Sequence, residues 1–499
     1  MTNLYLLTPN SYNMKITAFI RSLAAFIFLL TISSSDYKIL SQEIPDNIRI
    51  LLEKLSPLSY ERGNRELIYQ YSIGDLSRLS DKDTELVIKE LSKRGIGVIT
   101  FWKQAEAFER GIEEGIRIAR LQENLGLKVA VDATDLLYGF YDKTDFTAHI
   151  DNEGRTFYDS SFAGHWMGCP FTLQERIPVI RSRIIAYSEA YQAAGVNIDI
   201  VTADWEIDGP HEWNEAWVNS KKCMTCCKNI DNIQDFYVFQ SKLRSLRSKL
   251  LEICYTRPIL ERHPKALITN YGTYPNDGWR YWYDYFESPQ IDLPNIKDQK
   301  AIYRPWYNEF TETGFTMAMP VVYTWYPIYN SYPEYTSDYR WFYNMLKVGT
   351  NAGKSTPSEI PIATFFHWHT TAPPEKQDLN VKQMSRHSYQ ELLWHLLLRG
   401  HDIFFSWCRK EEIETEMTLL QEVYNNSLNY NDWLQSGRPV LFEVPAKESS
   451  VVSGVKLNNR VLVRRTDFTD NKKAVKCIID DKIIMVPYKP GECQIITIE

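Results

Sequence analysis

From residue 66 to about residue 425 the chain alternates short, almost uniformly apolar runs with longer stretches whose apolar residues recur at helical spacing. The runs "ELIYQYSIG" (66–74), "IGVITFW" (96–102), "KVAVDAT" (128–134) and "DIVTADWEIDGP" (199–210) are the first four predicted strands. "ALITNYG" (266–272), "FTMAMPVVYTWY" (315–326), "IATFFHWH" (362–369) and "DIFFSW" (402–407) bring the set to eight. Between them, segments such as "DTELVIKELSKRG" and "FERGIEEGIRIARLQENLG" carry the i, i+3, i+4 pattern of amphipathic helices. Strands that are apolar on both faces belong to parallel sheets covered on both sides, and parallel pairs need helical crossovers. The pattern therefore predicts an α/β fold, a (β/α)8 TIM barrel over residues 41–430. A doubly wound open sheet would want a glycine-rich phosphate turn after an early strand, and none is present.

The periodicity changes near residue 435. From "GRPVLFEVPAKESS" onward, β-branched residues alternate with polar ones, and Asn-Asn, Asp-Asp and Pro-Gly dipeptides punctuate the runs. This predicts a small antiparallel C-terminal β-domain, sandwich-like, over residues 435–499, with its charges on solvated strand faces.

Composition adjusts this picture in three places. The net charge of −7 argues against nucleic acid or an anionic membrane as the main partner, because both reward basic patches. The stretch beginning at Met14, "MKITAFIRSLAAFIFLLTISSS", has basic residues, a short apolar run and small polar residues in the order of a secretory signal. Residues 1–40 are therefore expected to act as a leader, making the protein secreted, periplasmic or cell-surface. The membrane has no further part beyond an N-terminal anchor should the leader be retained. Eight cysteines in an exported chain invite disulfides. For the cluster Cys223, Cys226 and Cys227, a disulfide staple is expected over a zinc knuckle, since no second ligand pair follows at knuckle spacing.

In a barrel of this kind the chemistry sits at the C-terminal ends of the strands. The fourth strand ends in three acids, Asp204, Glu206 and Asp208. Alternation puts Thr202, Asp204 and Glu206 on one face, pointing into the barrel. Two neighbouring carboxylates cannot both ionise cheaply, so one keeps its proton and becomes a general acid near neutral pH. Glu206 is the expected acid and Asp204 its assistant. Asp132 closes the third strand and is the next candidate for a second carboxylate, followed by Asp208. Trp102, Asn270, Tyr271, Tyr323, Trp325, His367, His369 and Trp407 stand at other strand ends and are expected to line a sugar-sized cleft. Two stretches dense in Tyr and Trp, 271–286 and 323–335, suit sugar rings for the same reason.

Asp204-Trp205-Glu206 after an apolar strand resembles the "DWE" signature of chitinase-like and hyaluronidase-like glycoside hydrolases. Against the chitinase pattern D-x-x-D-x-D-x-E, the chain offers Asp199, Asp204 and Glu206, with Thr202 in place of the second Asp. The resemblance implies that Glu206 is the acid and that Asp204 orients a substrate N-acetyl group. It also makes Met319 and Tyr323 similar to the family's Met-x-Tyr region, and Trp407 similar to the Trp that floors its sugar site. No carboxylate closes the seventh strand before Glu375, which favours either substrate assistance by Asp204 or a partner such as Asp132.

The expected function is hydrolysis of glycosidic bonds in an oligo- or polysaccharide, with no cofactor and no metal. Two alternatives compete. One is a non-catalytic carbohydrate-binding protein on the same barrel, which would not need acids at 204 and 206. The other is a metal-dependent hydrolase using His367, His369 and Asp132, which would normally show further ligands on neighbouring strands.

Overall fold

The computed structural model describes residues 44–71, 73–141, 145–162, 165–205, 216–272, 277–279, 303–305, 307–323, 333–368 and 381–499. Within these, the apolar runs form parallel strands in two sheets. The five-stranded sheet has the order Val321–Val322, Ala363–Phe366, Ile403–Ser406, Ile68–Gln70, Ile96–Gly97. The four-stranded sheet has the order Leu267–Ile268, Ile200–Thr202, Ala130–Asp132, Ile99–Phe101. The second predicted strand is thus broken in two, one half in each sheet, and the chain itself joins the sheets through Val98.

At the far seam the sheets meet through loop backbone. Thr316 and Met317 donate their N–H groups to the Ile268 carbonyl at 3.2 and 3.1 Å, and the Thr316 hydroxyl accepts from Ile268 N–H at 2.8 Å. Ala318 then pairs in parallel with Ile362. The expected eight parallel strands are present, but among the described residues their ladders make two sheets and not one continuous ring.

The helices follow their sequence signals. Ser80 caps Asp81–Lys93 by accepting from Asp83 N–H at 3.2 Å, with acids in the first turn and Lys93 in the last. Its buried residues Thr84, Val87, Ile88 and Leu91 recur every three to four positions and face the sheet. Gly95 ends the turn at φ +79°, and a Cβ there would lie 2.9 Å from the Tyr424 ring, so the position demands glycine twice over.

Strand alternation sorts the core into two layers. Ile99, Ala130, Ile200 and Tyr271 belong to the inner cluster, while Trp102, Val131, Val201, Trp205 and Ile268 face the helices. Trp102 stacks on Tyr187 of helix Ile177–Ala193 with centroids 4.8 Å apart, and Trp205 stacks on Phe140 at 4.9 Å. Both indoles are fully buried, and truncating either to Ala would cost about 3–5 kcal/mol. On the inner side Phe365 gathers rings from both sheets: Tyr71 at 6.2 Å, Tyr271 at 5.6 Å, Tyr323 at 6.1 Å and Phe405 at 5.6 Å.

The C-terminal segment is antiparallel, in the order Arg438–Pro439, Ser450–Leu457, Arg460–Asp467, Cys493–Thr497, with a separate hairpin Val475–Ile479 and Lys482–Val486. Asp480 and Asp481 turn that hairpin with φ of 49° and 64°, as a two-residue turn of this hand requires. The expectation that the charges here are solvated is corrected at Arg464 and Arg465, which are buried. Arg464 forks onto Glu391 of helix Arg386–Leu397 at 2.9 and 2.5 Å. Arg399 reaches Ser453 Oγ at 2.7 Å and the Phe442 and Glu443 carbonyls. These guanidinium groups fasten the sheet to the helical layer through bonds that solvent cannot replace.

The disulfide expectation is also corrected. Every cysteine is free, and the close pair Cys169 and Cys226 has its sulfurs 3.6 Å apart, far beyond an S–S bond of about 2.05 Å.

Candidate active site

The second, third and fourth strands run in register, so that Phe101, Asp132 and Thr202 stand side by side at their C-terminal ends. Inward alternation places Asp132, Thr202 and Asp204 on the inner face. The Thr202 hydroxyl donates to Asp132 Oδ2 at 3.0 Å, and Thr134 N–H donates to Asp132 Oδ1 at 3.0 Å. Thr134 then receives Asp204 N–H on its hydroxyl at 2.6 Å, tying the two strand ends together.

Asp132 is buried, and burial pushes its carboxyl up to about 6. The bonds from Thr134 and Thr202 and the charge of Lys103 work against that rise without cancelling it. Tyr71, at the end of the first strand, senses the same acids: burial, and then the charges of Asp132 and Asp204, hold its phenol well above the ordinary range. Sequence reasoning passed over Tyr71. Its signal was the Tyr69, Tyr71 alternation, which puts both rings inside.

Across the interior, Tyr271 and Tyr323 share a hydroxyl–hydroxyl bond of 2.8 Å. Tyr323 leans on His367 at 4.4 Å and on Trp407 at 6.1 Å, and His367 meets Trp407 edge-on at 4.7 Å. The fifth to eighth strands therefore contribute an aromatic wall, and the first, third and fourth contribute a phenol and two carboxylates. Phe365 lies between them.

A cleft of about 1080 Å³ opens over the first three strands; it touches Thr134, but neither Asp132 nor Asp204 lines it. Tyr71, Phe101, Lys103, Thr134, Tyr138 and Arg183 are among its walls. The cleft is offset toward the loop after the third strand and does not reach the aromatic wall. Its charged lining is mixed, with Lys103, Arg176 and Arg183 set against Asp135 and Glu175.

Two predicted cleft residues stand elsewhere. Trp102 faces the helices, because its neighbour Phe101 takes the inward position in register with Asp132. Asn270 is buried one residue out of phase with Tyr271. Its amide oxygen accepts Trp205 N–H at 3.0 Å, so it clamps the end of the fourth strand and leaves the cleft to others. Asp199 accepts Val129 N–H at 2.9 Å at the opposite end of the fourth strand, where it holds backbone. Glu206, Asp208, Trp325 and His369 lie outside the described residues, as do most of the two aromatic-rich stretches. The proposed His367–His369–Asp132 metal set is therefore represented only by His367 and Asp132. Among the described residues, the group of donors close enough to share an ion lies elsewhere, in the segments that follow the third and fourth strands.

No family model matches the chain, and no curated protein matches it. Several solved structures align with it at low similarity. An alpha-L-fucosidase from Paenibacillus thiaminolyticus aligns at 9% identity with a TM-score of 0.42, over 76% of this chain and 51% of that one. An alpha-galactosidase from Geobacillus stearothermophilus aligns at 10% identity with a TM-score of 0.45, over 90% of this chain and 57% of that one. Bee venom hyaluronidase aligns at 13% identity with a TM-score of 0.33, over 66% of this chain and 96% of that one. The chain thus spans little more than half the length of the first two. All three are glycosidases by name. TM-scores below 0.5 do not define a shared fold, so the reading of this chain stands on its own residues.

Proposed function

We propose that the chain is a glycoside hydrolase whose two parallel sheets make up a (β/α)8 cylinder. Glu206 acts as general acid on the glycosidic oxygen, and Asp204 assists. The observation that carries this reading is the junction at Thr134, whose N–H bonds the inward Asp132 carboxylate and whose hydroxyl accepts the main-chain N–H of Asp204, across the interior from Tyr271, Tyr323, His367 and Trp407. Burial holds the Asp132 carboxyl up to about 6, so the strand ends that would carry Glu206 already favour a protonated acid near neutral pH. Across the interior, Trp407 is only partly buried, and an indole face of that kind suits the apolar face of a sugar ring. The non-catalytic alternative leaves the buried carboxyl of Asp132 unexplained, since an inert binding site would be more stable without it. Export by the leader completes the proposal.

The test is hydrolysis of a panel of oligo- and polysaccharides with and without N-acetyl groups, comparing the wild-type chain with Asp204→Asn. Activity on at least one sugar is expected, falling about 10³-fold in the variant. If substrate assistance operates, the loss is confined to N-acetylated substrates. Full activity of Asp204→Asn on every hydrolysed sugar would remove Asp204 from the mechanism.

A further inference from the structure

We propose that His149, Cys169, Cys223 and Cys226 hold a structural zinc ion that staples the connection after the third strand to the connection after the fourth. Their four donor atoms lie within 4.8 Å of one another, and all four residues are completely buried. The Cys169 and Cys226 sulfurs are 3.6 Å apart, and Cys226 Sγ is 3.9 Å from His149 Nδ1. A tetrahedral zinc with Zn–S bonds of about 2.3 Å spaces its sulfur ligands about 3.8 Å apart, and a sulfur and a nitrogen ligand slightly less. The two separations lie within about 0.4 Å of the edges of a coordination tetrahedron and are far too long for a disulfide.

The ligands come from chain segments that local structure brings together. His149 begins the first strand of a short hairpin, His149–Ile150 with Thr156–Phe157, and its ring stacks on Phe157 at 4.9 Å. Cys169 N–H donates to the Thr147 carbonyl at 2.7 Å, which places it beside that hairpin. Gly168 permits the approach, because a Cβ there would fall 1.6 Å from Thr147 O. Cys223 and Cys226 form a C-x-x-C turn at the start of helix Met224–Asn229, with Cys227 N–H bonded to the Cys223 carbonyl at 2.9 Å. Trp217, Ile230, Ile233, Phe239 and Leu243 close around the sulfurs. Three thiols and an imidazole gathered within 4.8 Å of one another in an apolar cluster are the donor set of a closed zinc site.

Four protein donors fill a tetrahedron, which leaves no position for water or substrate. The ion is therefore structural, and the soft thiolate-rich set selects zinc over oxygen-seeking cations. Cys227 is exposed, with its sulfur turned toward the Lys221 carbonyl at 3.3 Å, and takes no part.

The test is metal analysis of the full chain, produced with added zinc and purified without chelator. About one zinc per chain is expected, retained in Cys227→Ser and lost in Cys169→Ser and Cys226→Ser. Because those two variants could fail to fold, the wild-type chain is also exchanged with cobalt(II). Intense d–d absorption with sulfur-to-cobalt charge transfer is expected from three thiolates in a tetrahedral field. Chelation should lower Tm, and zinc should restore it. The proposal is overturned by a zinc-free wild-type chain that gives no tetrahedral cobalt spectrum, by iron in the site, or by peptide mapping that finds Cys169 disulfide-bonded to Cys223 or Cys226.

Discussion

Glu391 and Asp132 are equally deep, 2% and 1% exposed, yet the protein treats them differently. Glu391 faces a guanidinium: both its oxygens receive Arg464, and Thr466 adds a hydroxyl. Around it His395 bonds Ser453 and Thr466 at 2.7 and 2.9 Å, and burial together with the charges of Arg399 and Arg464 keeps that imidazole neutral. Asp132 makes no ion pair among the described residues. It has two neutral donors and the distant charge of Lys103, and it retains its proton to about pH 6. A buried acid that is matched by a cation fixes one sheet against a helix. A buried acid left with neutral donors at a strand end holds its proton to a higher pH than an exposed carboxyl does. The seam and the mouth thus use the same side-chain chemistry for opposite ends.

The largest effect expected from this contrast is at the seam. Glu391→Ala strands Arg464 in an apolar interior and should cost about 3–5 kcal/mol in urea unfolding. The double change Glu391→Leu with Arg464→Met should cost far less, because it removes both charges. Equal losses in the two variants would mean that packing, not pairing, holds the seam.

At the mouth, Asp132→Asn should lower kcat/KM by about 100-fold, the low end of what a positioned acid or base contributes. It should also remove the pH–rate limb expected from the Asp132 carboxyl, which burial pushes up to about 6. Its stability should change in the other direction. A carboxyl raised from 3.8 to about 6 favours the fold fully only below 3.8, and that contribution is lost as pH rises through 6. The Asn variant should therefore gain on the wild type above pH 6. An unshifted profile with a uniform loss of stability would assign Asp132 to structure alone.

Glu416 supplies the intermediate case and the smallest effect. It is buried with no cation paired to it among the described residues, accepts Trp368 N–H and Tyr389 O–H at 2.9 Å each, and is pushed up to about 8, chiefly by burial. Its protonated form favours folding fully below 4.5, and the advantage disappears as pH rises through 8. The wild-type Tm should decline across that interval, and Glu416→Gln should flatten the decline. Parallel slopes in the two proteins would show that Glu416 is ionised in the fold.

Much of the architecture was legible in the chain's periodicity, because doubly covered strands and amphipathic helices leave different apolar spacings. The errors came where two periods meet. Trp102 and Asn270 were read as strand-end residues facing the cleft, although alternation from Asp132 and Tyr271 turns both outward. The second strand was read as one run, whereas it divides between two sheets at Val98. The C-x-x-C turn was legible, but its partners were not. His149 and Cys169 arrive from a different connection, and only the hairpin and the Gly168 contact bring them within reach. Arg464 and Arg465 read as surface charges because their counterparts lie on a distant helix and in a loop of their own segment.

The most direct measurement is kcat/KM of Glu206→Gln on the best sugar from the panel, with matched circular dichroism and Tm to establish an intact fold. A fall of about 10²–10⁴-fold with sugar binding preserved is predicted. Activity within a factor of a few of the wild type would contradict the assignment of Glu206 as the proton donor, and with it the claim that the acids at the strand ends are there for glycosidic chemistry.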